Sequence, residues 1–282
     1  MNRPFLGSQA LASGALTRAQ LRWNYRAIFP NVYVHARSAV SLDARIAAAW
    51  LWSGGRAVIA GRAAAALHGA LWVKPRTPIE LLWRCGRPPA GIVARNERVA
   101  SDELTTIRGM QVTSPARTAL DLARHLDRPH AVSHLDALAR ATGMQSADAL
   151  ILGDRYAGAR NVAVARRVLP LLDPGGQSPK ETWLRLLLLD AGFPRPTTQI
   201  RVSDGFNNAY LDMGWEEPKI GLDYDGDQHR SDRSRYVHDV GRNELVTRNG
   251  WIHLHVLAEH SRRFILHRVQ QAFAHRGWAP RQ

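Results

Sequence analysis

The stretch Ala209-Tyr-Leu-Asp212, followed by Lys219-Ile-Gly-Leu-Asp223-Tyr-Asp225-Gly226-Asp-Gln-His229, sets aspartates among strand-forming residues. Asp212 stands between Leu211 and Met213, and Asp223 between Leu222 and Tyr224. Aspartate is disfavoured in strands, so two such departures on neighbouring strands mark a site rather than a scaffold. Side chains alternate along a strand, which puts Asp223 and Asp225 on one face. If the two strands pair around the turn at Glu217-Pro218, Asp212 and Asp223 become neighbours. Carboxylates so placed repel one another unless a proton or cation sits between them. Mg²⁺ or Mn²⁺ takes such oxygens together with waters and substrate phosphate. There it can activate water and stabilise a leaving oxygen, the minimum equipment for cutting a phosphodiester.

Outward from this stretch, Ser178-Pro179-Lys180-Glu181 opens a helix running through Trp183, Leu184, Leu187 and Leu188 to Gly192. Strands are predicted over 197–202, 209–214 and 219–224, a helix over 231–248, a strand over 251–257 and a last helix over 261–275. The order is α-β-β-β-α-β-α. Glu181 is also the N3 residue of a capping box with Ser178, which accounts for it without chemistry. Asp225-Gly226 doubles as a turn signal. His253 and His255 share a strand face, where partly buried, hydrogen-bonded histidines are the ordinary outcome and a phosphate contact is the alternative.

Upstream, Asp173-Pro-Gly-Gly-Gln-Ser178 reads as a linker. Thr17-Arg18-Ala19-Gln20 is a capping box opening a helix, with Leu16 and Leu21 at the staple positions. Pro30-Asn31 is a turn and Val32–Val34 a strand, which together outline a shortened winged helix. Residues 41–72 read as Ala-rich helix broken at Gly54-Gly55. Short strands follow at 79–83, 91–96, 104–107 and 110–113. Ser114-Pro115 opens a helix with proline at its first position, and 116–171 is mostly amphipathic helix. His125, His130 and His134 cluster without carboxylates at ligand spacing, so surface or capping roles are expected of them.

The 282 residues carry 38 basic and 24 acidic side chains, a net charge of +14. Of this excess, +12 belongs to residues 1–177 and only +2 to the remainder. Such a balance points to a polyanion, nucleic acid above all. Only three of the basic residues are lysine, and an Arg- and Ala-rich chain is also what a GC-rich genome produces. The single cysteine, Cys85, excludes a disulfide framework and a Cys-based zinc site within one chain. No apolar leader follows the N-terminus and no run is long enough for a membrane span. A cytoplasmic protein without membrane attachment is the expectation.

The acidic stretch, continued through Asp239, Arg242, Leu245 and Gly250-Trp251, resembles a family of unknown function related to very-short-patch-repair (Vsr) endonucleases, within the PD-(D/E)xK, restriction-endonuclease-like superfamily. The resemblance implies Asp212 and Asp223 as metal ligands, with Glu181 matching the acidic residue that some members place on the first helix. It matches Asp225 and His229 to a D-G-x-x-H segment, with His229 as candidate general base, and turns Arg242 toward the scissile phosphate. Asp223 is one methylene, about 1.5 Å, shorter than the glutamate of most relatives. Asp225 stands where the superfamily motif has lysine, and His255 where relatives carry arginine. A second resemblance lies upstream. Gly14–Leu21, Pro30–Val34, Ala63-Ala-Ala-Ala-Leu-His68-Gly69 and Met110–Asp121 are similar to AbiEi-type antitoxins of type IV toxin–antitoxin systems, whose winged helix binds operator DNA.

The expectation is therefore an α/β (α+β) chain. Residues 1–37 form a truncated winged-helix-like segment, 38–172 a mixed helical and strand AbiEi-like domain, 173–178 a linker, and 179–282 a restriction-endonuclease-like domain. The function expected is an Mg²⁺- or Mn²⁺-dependent DNA endonuclease. Its alternatives are an AbiEi-type antitoxin and transcriptional regulator with a silent nuclease fold and a cognate toxin or operon partner, or a nuclease fold kept as an interaction module.

Overall fold

A computed structural model describes residues 3–225 and 233–277, with backbone alone from 233 to 240. The described residues form helices and three separate sheets, and the chain divides into two compact units, 1–172 and 173–282. No helix among the described residues is long and apolar enough to cross a membrane.

The first unit opens with β1 (Phe5–Leu6), α1 (Gly7–Ala12), α2 (Arg18–Asn24), β2 (Tyr25–Phe29) and β3 (Val32–His35). The Thr17 hydroxyl accepts from the Gln20 N–H at 3.2 Å while Gln20 Oε1 accepts from the Thr17 N–H at 2.8 Å, the reciprocal box the sequence announces. The expected helix ends at Asn24, because Tyr25, Ile28 and Phe29 give the next segment a strand's pattern. β2 turns back at Pro30-Asn31 and pairs antiparallel with β3, which also carries β1. The result is helix, turn, helix and hairpin.

Next come α3 (Leu42–Trp52), β4 (Val58–Ala60), α4 (Gly61–Leu67), β5 (Ile79–Leu82), β6 (Ile92–Arg95), β7 (Leu104–Ile107) and β8 (Met110–Thr113). The five strands order as β6-β5-β4-β8-β7. β4 lies inside the region read as Ala-rich helix after the break at Gly54-Gly55, and it is the central strand. Val58-Ile59 is too short an apolar run to declare its period, and burial between β5 and β8 decides it. Ser114 caps α5 (Pro115–His125) by accepting from the Arg117 N–H. Then follow α6 (Arg128–Thr142), α7 (Ser146–Arg155) and α8 (Val162–Val168). α5 is buried along most of its length, including its polar residues Arg117, Asp121 and Arg124.

The second unit runs α9 (Pro179–Asp190), β9 (Thr197–Ser203), β10 (Asn208–Trp215), β11 (Ile220–Asp225), α10 (Arg233–Arg248), β12 (Ile252–Leu257) and α11 (Arg262–His275). Its sheet orders β12-β11-β10-β9, with β11 and β12 parallel and the other pairs antiparallel. A parallel pair needs a crossover, which α10 supplies. Two apolar clusters pack the sheet. Met213, Trp215, Ile220 and Leu222 join Leu184 and Leu188 of α9 and Ile265 and Val269 of α11. Ile200, Val202, Ala209 and Leu211 join Leu245 and Val246 of α10. Residues two apart on a regular strand face the same way, yet Leu211 and Met213 go to different clusters. The change falls at Asp212, opposite a left-handed Gln199 at φ +54°, which interrupts the β9–β10 register. Gly221 makes room for this arrangement. A Cβ there would stand 2.5 Å from Leu211 Cδ1.

Candidate functional site

The β10–β11 ladder runs from Trp215 and Ile220 to Met213 and Leu222. At the next step carboxylates take the place of carbonyls. The Asp212 N–H donates to Asp223 Oδ1 at 2.9 Å, and the Tyr224 N–H donates to Asp212 Oδ2 at 2.7 Å. The two aspartates thus meet across the strands, each bonded to the other strand's backbone. Asp223 is buried. Its Oδ2 also receives His253 Nε2 at 2.6 Å and the Arg242 guanidinium at 2.7 Å. A second Arg242 contact goes to the Tyr210 carbonyl. Beside it, Asp225 Oδ2 and His255 Nδ1 stand at 2.8 Å, with His255 Nε2 at 3.1 Å from Asn243 Oδ1. The two imidazoles lie 4.1 Å apart between ring centres.

The electrostatics separate the two central acids. Burial pushes the Asp212 carboxyl up to about 7, with the charges of Asp223 and Glu181 adding to the rise. Burial presses upward on Asp223 as well, but the His253 hydrogen bond and the Arg242 charge hold it below the usual carboxylate range. The Asp225 hydrogen bond raises His255 above an ordinary histidine. Glu181 is buried at the start of α9. Ser178 accepts from its N–H at 3.2 Å, while its own carboxylate accepts from the Gln177 N–H at 2.8 Å. The return bond of the expected capping box is thus displaced by one residue.

Of the residues singled out from the sequence, Asp212, Asp223 and Arg242 are in direct contact. Glu181 acts on Asp212 through its charge, and Asp225 is paired with His255. His229 and the side chain of Asp239 lie outside the described residues. The three residues expected to share a metal, Glu181, Asp212 and Asp223, are not among the sets whose ligand atoms all lie within 4.8 Å of one another; the set found here is Asp223, His253 and His255. The sequence reading left His253 and His255 as ordinary strand histidines. Their role follows from the parallel register that sets Asp223 beside His255 and Gly221 beside His253.

The first unit holds a second cluster, on α5. Here the expectation for His125 is corrected: Glu97 stands 3.0 Å from its Nε2, and Asp121 one turn back completes a compact set of potential ligands. Asp121 stands within helical reach of His125 in the sequence itself, and Glu97 comes from the segment after β6. His130 pairs locally with Asp127 at 2.8 Å, as a surface histidine does. His134 is partly buried, and burial lowers it to about 4.

Residues 57–174 match the family model of the AbiEi antitoxin C-terminal domain. That span includes the quoted segments 63–69 and 110–121 but not 14–34. Two curated relatives from Mycobacterium tuberculosis, Uncharacterized protein MT2308 (strain CDC 1551 / Oshkosh) and Uncharacterized protein Rv2248 (strain ATCC 25618 / H37Rv), are each 28% identical over 233 residues. Each alignment covers 82% of this chain and 85% of the relative. No solved structure matches significantly. The sheet and helices that carry the α5 cluster are therefore similar to an antitoxin domain.

Proposed function

We propose that the protein is a DNA-binding regulator of the AbiEi-antitoxin type, acting with a toxin partner, in which the second unit adds a nuclease-like carboxylate site. The observation that carries this reading is the antitoxin-domain match over 57–174. Two further features support it. Residues 1–177 hold +12 of the net charge. The helix-turn-helix and hairpin at the N-terminus expose Arg18, Arg22 and Trp23 of α2, with Arg22 lying against the Trp23 ring at 5.8 Å. Arginines so exposed can neutralise backbone phosphates. The test is a mobility shift of the full chain on DNA just upstream of its own gene, in the absence of divalent metal. The double variant Arg18→Ala/Arg22→Ala is expected to bind at least about tenfold more weakly and to lose about one unit of salt slope for each phosphate contact removed. Equal binding by the variant, or none by the wild type at moderate salt, sinks the reading.

A second reading, metal-dependent cleavage of a phosphodiester, is favoured by one observation. Asp212 is pushed up to about 7 next to Asp223 and Glu181, a surplus of buried negative charge that a divalent cation relieves. Carboxylate oxygens suit Mg²⁺ or Mn²⁺. Asp212 and Asp223 would hold the ion, with Glu181 supporting, and the ion would supply Lewis acidity to a phosphoryl oxygen or bound water. Arg242, paired with Asp223 as described, is near enough to exchange that carboxylate for a phosphate oxygen. The assay is nicking of plasmid DNA with Mg²⁺ or Mn²⁺ by wild type and by Asp223→Ala. Cleavage lost in the variant supports this reading; cleavage by neither or by both equally removes it and leaves the regulator reading untouched.

A further inference from the structure

The first unit contains a pocket of about 440 Å³ beside α5, walled by Arg98, Arg117, Arg124, Arg155 and Arg160, with Tyr156 and one carboxylate, Glu97. Five guanidinium groups around one cavity are costly unless something fixes and balances them. Three are paired with carboxylates, four in all. Arg117 donates through Nε to Asp121 Oδ1 at 3.0 Å and through Nη1 to Glu103 Oε2 at 2.6 Å. Arg124 Nη1 donates to Glu97 Oε2 at 2.7 Å. Arg155 grips Asp102 and Glu103 at 2.8 Å each.

The other two are held differently. Arg117 Nη1 donates to the carbonyl of Arg98 at 2.7 Å, and Arg124 Nε to the carbonyl of Arg160 at 2.9 Å. The buried arginines thus pin the backbone of the two exposed ones at the mouth. Among the described residues, the side chains of Arg98 and Arg160 form no ion pair. Five guanidinium groups against the carboxylates of Glu97, Asp102, Glu103 and Asp121 leave the pocket net positive, and the two cations without an ion pair stand on pinned backbone. Tyr156 forms an aromatic wall. Its hydroxyl donates to Glu103 at 2.8 Å, and Arg117 lies against its ring at 5.0 Å.

A cation is the wrong occupant. Glu97, Asp121 and His125 approach metal-ligand spacing, but Arg117 and Arg124 already sit on their carboxylates and would repel it. We propose that this pocket binds the phosphate monoester of a nucleotide, either free or at the end of a nucleic-acid strand. A monoester carries about −1.5 to −2 at neutral pH and three terminal oxygens, so it can engage both unpaired arginines at once, where a diester offers one charge and two free oxygens. Arginine's planar fork suits its oxygens. The cavity is larger than a phosphate needs and falls in the size range of small-molecule sites. The Tyr156 ring offers a stacking surface of the kind that bases use. This site is separate from the exposed face of α2 and from the carboxylates of the second unit, so it does not depend on either reading above.

The experiment is calorimetric titration of the full chain with 5′-deoxyadenosine monophosphate, with deoxyadenosine, and with a short single strand bearing either a 5′-phosphate or a 5′-hydroxyl. The phosphorylated member of at least one pair is expected to bind at least about tenfold more tightly than its unphosphorylated counterpart. Binding by the mononucleotide assigns a free ligand; binding by the phosphorylated strand alone assigns a strand end. The variant Arg98→Ala/Arg160→Ala changes only exposed side chains and should weaken that binding at least about tenfold. Arg108→Ala, which removes an exposed pair with Asp43 outside the pocket's lining, should leave it unchanged. Indifference to the phosphate, or equal affinity in the double variant, overturns the proposal.

Discussion

Each unit buries a knot of ionised groups, and the two knots are balanced in opposite ways. Around α5, Glu97, Glu103 and Asp121 are answered by Arg117 and Arg124 of that helix and by Arg155 of α7. In the second unit, Glu181, Asp212 and Asp223 share Arg242 and a histidine, and both of these contact Asp223. The titration follows. Against the cost of partial burial, His125 and Arg124 pull Glu97 down to about 2. Asp121, buried as Glu103 is, is raised by burial to about 6 while Arg117 opposes the rise. Asp212 goes to about 7 because its neighbours Asp223 and Glu181 reinforce burial instead of opposing it. A balanced knot is what a scaffold needs. A knot short of positive charge has a place for a cation or a proton.

The comparison breaks most readily at Arg117. Replacing it with Met leaves Glu103 and Asp121 buried without their main counter-charge, and the first unit should lose about 3–5 kcal/mol in denaturant unfolding. A loss below about 1 kcal/mol would mean the knot is not structural. The opposite sign is expected in the second unit. Asp212 has a folded pKa near 7 against an unfolded value near 3.8, so it binds its proton more tightly when folded. Its contribution to stability therefore grows as pH falls through 7 and is lost as pH rises. Asp212→Asn should stabilise the second unit at pH 8 by about 1–3 kcal/mol and flatten its melting curve against pH between 5 and 8. Some slope should survive, since His255, raised by Asp225, also stabilises at low pH and loses that effect as pH climbs through its folded value. An unchanged slope would show that Asp212 is not the proton-binding group.

Smaller effects sharpen the same contrast. Ser178→Ala removes the cap that sets Glu181 at the start of α9 and should cost about 1 kcal/mol. If the charge of Glu181 reaches Asp212 as described, the variant should also move the pH midpoint of the Asp212 effect downward, which nuclear magnetic resonance of the carboxyl carbon can follow. Smallest of all, Asp225→Asn breaks a half-exposed pair and should change stability by less than about 1 kcal/mol. The readout is the His255 imidazole, whose pKa should fall toward an ordinary histidine's. A constant His255 titration would mean the 2.8 Å contact does not persist in solution.

Much of the second unit is legible in its sequence. Its helices and strands follow from periodicity, turn residues and caps, and the aspartates betray themselves by standing in strands. The first unit hides more. β4 is three residues long and surrounded by alanine, so only its neighbours make it a strand. The Glu97–His125 contact spans 28 positions, beyond the reach of any local pattern. His253 and His255 carry no local signal either. They become partners of the aspartates because β12 lies parallel to β11 in one register, and a one-residue slip would send both to the other face.

By itself the sequence determined where charge accumulates, which segments alternate and which acids violate their surroundings, since these depend on neighbours in the chain. Which charges meet was decided by the tertiary structure. Strand register and the crossover helix α10 set Asp223 against His253 and Arg242, and packing around α5 set three arginines against three carboxylates. The energy of an ionised group depends on distance and on exclusion of water, and neither is written in sequence spacing.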